Sequence, residues 1–216
     1  VDEYAPSITA LTRPLLRRWV EKIGAELRII TERKSPALPP VYEKLQIYDL
    51  ARQRGDDRII YVDADALIHP DFFNPCDYIA ADTVAHHGND LAGNRWRYDD
   101  YFRRDGRHLG SCNWFTIGSR MTLDLWRPLD DLTFEQAVAN IFPIQVELNS
   151  VVTPDHLIDD YILSRNIARF GLKFTTVGRL LRDLGDPGNY LWHQYTLTIA
   201  DKVIEMEKIL KVWGLG

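Results

Sequence analysis

The sequence predicts an α/β protein whose central sheet is mixed, mostly parallel and flanked by helices. Three observations carry that expectation. Segments with the 3.6-residue apolar period of helices alternate with short β-branched and aromatic runs. The connections between them are short, which suits right-handed βαβ units. Residues 59–68 form a nearly continuous apolar run, as expected of a central strand buried on both faces.

In chain order, the first expected element is a helix. Thr12 is placed to cap it, Pro14 suits its first turn, and Leu15, Leu16, Trp19, Val20 and Ile23 make one apolar stripe that Gly24 closes. Residues 27–30 read as a short strand. Residues 35–40 hold three prolines and read as a loop. A helix over 41–54, closed by Gly55, leads into the run at 59–68. Residues 77–84 make a further strand around Tyr78, Ile79 and Ala80, and 86–110 a polar, aromatic excursion over the active-site face. A strand over 114–117 turns at Gly118 into a helix over 119–126. Helices follow from near Thr133 and from Pro154, the second carrying Leu157, Ile158, Tyr161, Ile162 and Leu163. A strand over 174–177, a turn at 185–188 and an aromatic segment around His193 precede the last helix. That helix carries Val203, Ile204, Met206, Ile209, Leu210 and Trp213.

Composition narrows the function classes. The chain has 216 residues, 45% apolar and 26% charged, which is enough for one α/β domain with a sizeable core. A net charge of −5 argues against broad attraction to nucleic acid or an anionic membrane. No apolar run approaches the ~20 residues of a transmembrane helix. Cys76 and Cys112 are too few for a disulfide framework and read as reduced thiols, which fits a cytoplasmic location.

The chemistry centres on Asp63 and Asp65, spaced i, i+2 at the carboxyl end of the apolar run. Side chains alternate along a strand, so both carboxylates are expected on one side. Two like charges there are costly unless a cation sits between them, and oxygen ligands suit a divalent one. In open α/β sheets, ligands bind at this end of the strands. The plain alternative is a turn with solvated aspartates, but Ala66, Leu67 and Ile68 continue apolar where such a turn would be polar.

Residues 42–65, with Lys44 on a helix ahead of the apolar strand and its Asp63-Ala64-Asp65, resemble glycosyltransferase family 8, whose members have the GT-A fold. Residues 113–120 are similar to the strand that approaches the donor sugar. Residues 159–163, beginning Asp159-Asp160, are similar to the acidic helix start beside the reacting centre. Residues 192–195 are similar to the late histidine segment that completes metal binding. The resemblance spans about residues 4–195. It implies a single GT-A-like catalytic domain over 1–216, its first strand incomplete at the amino terminus or lying upstream. It also implies a metal-dependent glycosyltransferase that moves a sugar from a nucleotide-diphosphate donor, by family analogy a UDP-sugar, to a saccharide or other hydroxyl acceptor.

The resemblance gives each residue a role. Asp65 would ligate Mn²⁺ or Mg²⁺, and Asp63 would meet the metal, the ribose hydroxyls or both. His193 would be a third protein ligand, and an imidazole favours Mn²⁺ over Mg²⁺. Lys44 would meet the phosphates, Tyr4 the base or diphosphate, and Asn113 the sugar hydroxyls. Asp159 or Asp160 would be the general base of an inverting enzyme, or would stabilise the sugar centre of a retaining one. Each has an ordinary alternative: a surface lysine, a core tyrosine, a strand-end asparagine, and first-turn acids favoured by a helix dipole. His86, His87 and His108 read as solvated or acceptor-side. Trp96, Tyr98, Tyr101, Phe102 and Trp114 read as core packing or a sugar-stacking platform. On this reading Asp65→Ala abolishes metal-stimulated donor binding and leaves the fold intact. Two other classes compete. One is a haloacid-dehalogenase-type phosphohydrolase with Asp63 as nucleophile, for which Lys173 and Gly185-Asp186 fall in a compatible order. The other is a non-catalytic nucleotide-sugar or metal-binding module.

Overall fold

The computed structural model of the chain describes residues 5–87, 113–141, 152–185 and 189–216. They fall into two compact units: unit 1 is Val1–Glu32, Val62–Asn74 and Pro187–Gly216, and unit 2 is Arg33–Tyr61 and Pro75–Asp186.

Unit 1 is built on helix α1 (Pro6–Lys22). It begins a turn and a half before Thr12, because Pro6 at the first helical position needs no donor there. Thr12 therefore does not cap the helix. It lies on the buried stripe with Ile8, Leu15 and Trp19, and its Oγ1 donates to Ala64 O at 2.7 Å. Pro14 lies inside the helix on its exposed side, where water can satisfy the carbonyl that loses its partner. Trp19 stacks on Phe72 at 5.9 Å and donates through Nε1 to Phe72 O at 3.0 Å. After Gly24, residues 27–30 join no strand among the described residues, against expectation. A β-branched run becomes a strand only when a ladder satisfies its backbone groups, and none is offered here.

Two short strands of unit 1, numbered by chain order, are β2 (Leu67–Ile68) and β6 (Leu191–Trp192). They pair antiparallel with Leu67 opposite Trp192 and Ile68 opposite Leu191. His69 N extends the ladder by donating to Tyr190 O at 2.7 Å. The carboxyl-terminal helix α6 (Ile199–Val212) buries Lys202, Met206 and Leu210, one residue per turn. Ile8, Leu15, Leu67, Met206 and Leu210 form the core. Fully burying such side chains contributes about 1.5–3 kcal/mol each.

Unit 2 contains a four-stranded sheet in the order β1 (Arg58–Val62, shared with unit 1 at its last residue), β4 (Phe115–Ser119), β3 (Thr83–His86), β5 (Lys173–Thr176). The expected helix over 41–54 is divided. A 3-10 helix covers Pro40–Gln46, helix α2 covers Ile47–Arg54, and Gly55 closes it at φ +71°.

The sheet is mixed, but not mostly parallel as expected. Strand β3 pairs antiparallel with β4 and parallel with β5. With no strand at 27–30, the expected βαβ unit ahead of β1 does not close. Nor is β1 central: it ends the strand order of the described residues and is half-buried throughout, whereas every residue of β4 is buried. An apolar run of this length therefore marked a strand and not its place in the sheet.

Helix α3 (Phe134–Val138) is capped by Thr133, whose side chain accepts from Gln136 N, as the sequence suggested. Helix α4 (Ile158–Arg169) buries ten of its twelve residues. Two of its buried polar side chains are paired: Asn166 Nδ2 donates to Leu125 O and Arg127 O at 3.0 and 2.8 Å, and Arg165 forms a fork with both oxygens of Asp131. Helix α5 (Val177–Asp183) follows β5.

Gly118 is a strand residue rather than the expected turn. A 3-10 helix over Arg120–Trp126 brings the Trp126 ring back over it, and a Cβ at Gly118 would lie 2.6 Å from that ring. Both are buried, so neither can yield cheaply. Gly118→Ala is expected to destabilise the protein by about 1–3 kcal/mol. A lowered urea midpoint at unchanged slope would show it, and an unchanged midpoint would refute the close packing.

Candidate metal centre

Asp63 and Asp65 do not continue the strand. Strand β1 stops at Val62, and Ala66 N donates to Asp63 O at 3.1 Å, which closes a turn with Ala64 and Asp65 at its centre. The Thr12 bond to Ala64 O fastens that turn to α1. The two carboxylates thus face one site because of a turn, not because of strand alternation.

His193 arrives from the other end of the chain. It follows β6 directly, as Asp65 and Ala66 directly precede β2. One more step of the antiparallel register sets Ala66 level with His193. The outcome is a compact set: His193 Nε2 is 3.4 Å from Asp65 Oδ1 and 3.9 Å from Asp63 Oδ2. One ligand atom from each of the three residues lies within 4.8 Å of the others, close enough to hold a metal ion. Adjacent ligands bonded at ~2.1 Å to one cation are separated by roughly 3 Å, so small side-chain adjustments would close the set. Two carboxylates and an imidazole make a donor set for a divalent metal of intermediate hardness.

Lys202, on α6, is the member that sequence reasoning missed. It is 4% exposed, and its Nζ lies 2.5 Å from Asp65 Oδ2. Burial alone would raise the pKa of the Asp65 carboxyl, which is 8% exposed. The hydrogen bond and charge of His193, with Lys202 beside them, overcome this and hold it well below the usual carboxylate range. The signal for Lys202 was present in the sequence. It stands one turn before Met206 and two before Leu210, so a lysine occupied the apolar stripe of an amphipathic helix.

Four other expected site residues meet in unit 2. Lys44, Asp159 and Asn113 are all buried. Lys44 Nζ lies 2.5 Å from Asp159 Oδ2, donates to Asn113 O at 3.0 Å, and sits 4.6 Å from the Tyr61 ring centre. Asp160 Oδ1 accepts from Asn113 N at 3.0 Å and Asn113 Nδ2 at 2.8 Å. Asp159 and Asp160 lie in the first turn of α4, where a helix dipole favours acids. Lys44 is accordingly a buried, neutralised lysine and not a surface one.

Tyr4, His108, Trp96, Tyr98, Tyr101, Phe102 and Cys112 lie outside the described residues. His86 is buried in β3 with its ring edge-on to Phe174 at 4.6 Å, so it is not solvated. Trp114 is buried, 4.5 Å from the His87 ring, which makes it a packing residue here. An apolar hollow in unit 1, lined by Leu11, Pro14, Leu15, Leu210 and Leu215 among others, includes none of Asp63, Asp65 and His193.

The fold and site define an α/β protein with a mixed sheet and an Asp-Asp-His cluster able to hold a metal ion. No helix among the described residues is long and apolar enough to cross a membrane. Comparison with protein-family models, curated proteins and solved structures finds no match.

Proposed function

We propose that the protein is a metal-dependent glycosyltransferase using a nucleotide-diphosphate sugar. One observation carries the reading. Residues 63, 65 and 193, chosen from the sequence as a ligand set, lie within 4.8 Å of one another although some 130 residues separate the first two from the third. Asp63, Asp65 and His193 would hold Mn²⁺, or Mg²⁺ as the second choice. When bound, the cation would stabilise negative charge developing on the diphosphate leaving group. The chain's own part is to present the three ligands on a turn and a strand end already fixed by Thr12 and the β2–β6 ladder. The same reading gives Lys44 and Asn113 to the donor, and Asp159 and Asp160 to the reacting centre.

A second reading, a non-catalytic nucleotide-sugar module, is favoured by the Lys202 contact. A carboxylate already neutralised by an ammonium has less need of a cation. One experiment addresses both. Thermal unfolding is followed against nucleotide-diphosphate sugars with and without Mn²⁺, and turnover of any stabilising sugar is then measured. A ligand at a hundred times its Kd adds about 2.7 kcal/mol, a shift easily seen. Mn²⁺-dependent stabilisation with slow hydrolysis or transfer supports the enzyme, and stabilisation without turnover supports the module. Stabilisation by no nucleotide sugar would end both.

A further inference from the structure

Lys202 has no role in the proposed reaction, yet its position is an unfavourable one. It lies in the first turn of α6, where the helix dipole repels cations, and it is buried. Asp65 is what holds it there. The two oxygens of that carboxylate are divided: Oδ2 meets Lys202 Nζ at 2.5 Å, and Oδ1 faces His193 Nε2 at 3.4 Å. The ammonium therefore fixes the carboxylate's rotation and leaves Oδ1 on the imidazole side. It also places a unit positive charge against a group that a divalent cation would need.

We infer that Lys202 is a built-in counter-ion for Asp65, a positioning residue that holds Asp65 Oδ1 toward the cation site and, by its charge, keeps cation affinity low. This rests on the reading of Asp63, Asp65 and His193 as cation ligands. Without a metal, Lys202 lets Asp65 stay buried and ionised, so the turn keeps its shape while empty. With a metal, its charge opposes the cation from the far side of one ligand. Asp63 and Asp65 carry two negative charges and Lys202 returns one, so the ammonium halves the formal charge that attracts a cation. A unit charge a few ångströms from a divalent ion, even with aqueous screening, changes affinity on the order of tenfold.

The test is Mn²⁺ binding to the whole chain, read by the loss of the free-Mn²⁺ EPR signal and by Mn²⁺-induced thermal stabilisation. Wild type, Lys202→Met and Lys202→Arg are compared. The inference expects Lys202→Met to bind Mn²⁺ about tenfold more tightly than wild type, to be less stable in chelator, and to regain more stability from Mn²⁺. Lys202→Arg should stay close to wild type, since it keeps the charge. A lysine that only supports the fold would give the opposite sign, with weaker Mn²⁺ binding in Lys202→Met. Should Lys202→Met fold only when Mn²⁺ is present, that dependence supports the inference too. Should it fail to fold at all, Lys202→Gln takes its place, with the same gain expected. Equal affinity in wild type and the uncharged variant overturns the inference alone. Absence of Mn²⁺ binding in every protein overturns the cation reading and the inference with it.

Discussion

Asp65→Ala is expected to lose Mn²⁺ binding and to destabilise the protein together. From the sequence alone the fold should have survived, but Lys202 changes that. Removing the carboxylate leaves a buried ammonium without its partner, and breaking such a pair typically costs about 3–5 kcal/mol. For a chain of this size the melting temperature should fall on the order of 10 °C. Mn²⁺ affinity should fall roughly a hundredfold or more, since an outer-shell partner alone can cost up to that much and the proposed function makes Asp65 a direct ligand. The loss of stability complicates any simple reading of lost activity, so the informative protein is Asp65→Ala/Lys202→Met. With both charges gone the burial penalty disappears, and stability should return toward wild type. Mn²⁺ binding should not return, because two ligands remain where three are needed. If the double variant still bound Mn²⁺ as wild type does, the cation would have to sit elsewhere. If the single variant were as stable as wild type, the buried contact between Lys202 and Asp65 would be wrong.

Much of the Asp-Asp-His cluster was legible, its two acids because their chemistry singles them out. Two acids after an apolar strand are conspicuous whatever the fold does around them, whereas a lone late histidine is not, and His193 was singled out by the resemblance. The reason they converge was not legible. Strand alternation was expected to set Asp63 and Asp65 side by side, but a turn does so, and Ala66 N and Thr12 Oγ1 hold that turn. Such bonds depend on which backbone carbonyl a distant helix reaches, which no local pattern records. The same limit explains β1. Apolar content shows that residues 58–62 want burial, while position in the sheet follows from pairing partners far along the chain. Helix types were read well where caps are local, as at Thr133 and Gly55. They were read less well where proline, as at Pro40, lets a 3-10 turn precede the α-helix. Lys202 shows a different failure. A lysine on a helix is normally solvated, and only its register with Met206 and Leu210 marked it as buried.

Lys44→Met should be the most destabilising change in unit 2. It leaves Asp159 buried without its ammonium and takes from Asn113 O one of its two donors, the other being the Thr116 hydroxyl. The loss should again be about 3–5 kcal/mol, visible in urea unfolding. Pairing it with Asp159→Leu should restore most of that stability, because the buried charge is then absent on both sides. This double variant separates two roles that the single one confounds. A lysine whose work is to neutralise Asp159 should be dispensable once Asp159 is gone, so nucleotide-sugar binding would recover with the fold. A lysine that meets donor phosphates should not be dispensable, and binding would stay lost in a folded protein. The close contact with Asp159 does not decide between them, since a buried lysine can exchange one anionic partner for another when a diphosphate offers more charge. Asn113 supplies an independent check. Its Nδ2 is engaged by Asp160, while its buried Oδ1 has no partner among the described residues and would suit a donor hydroxyl. If Asn113→Ala stays folded and leaves donor binding unchanged, that oxygen has no part in recognising the sugar, and Asn113 is a structural member of the second cluster.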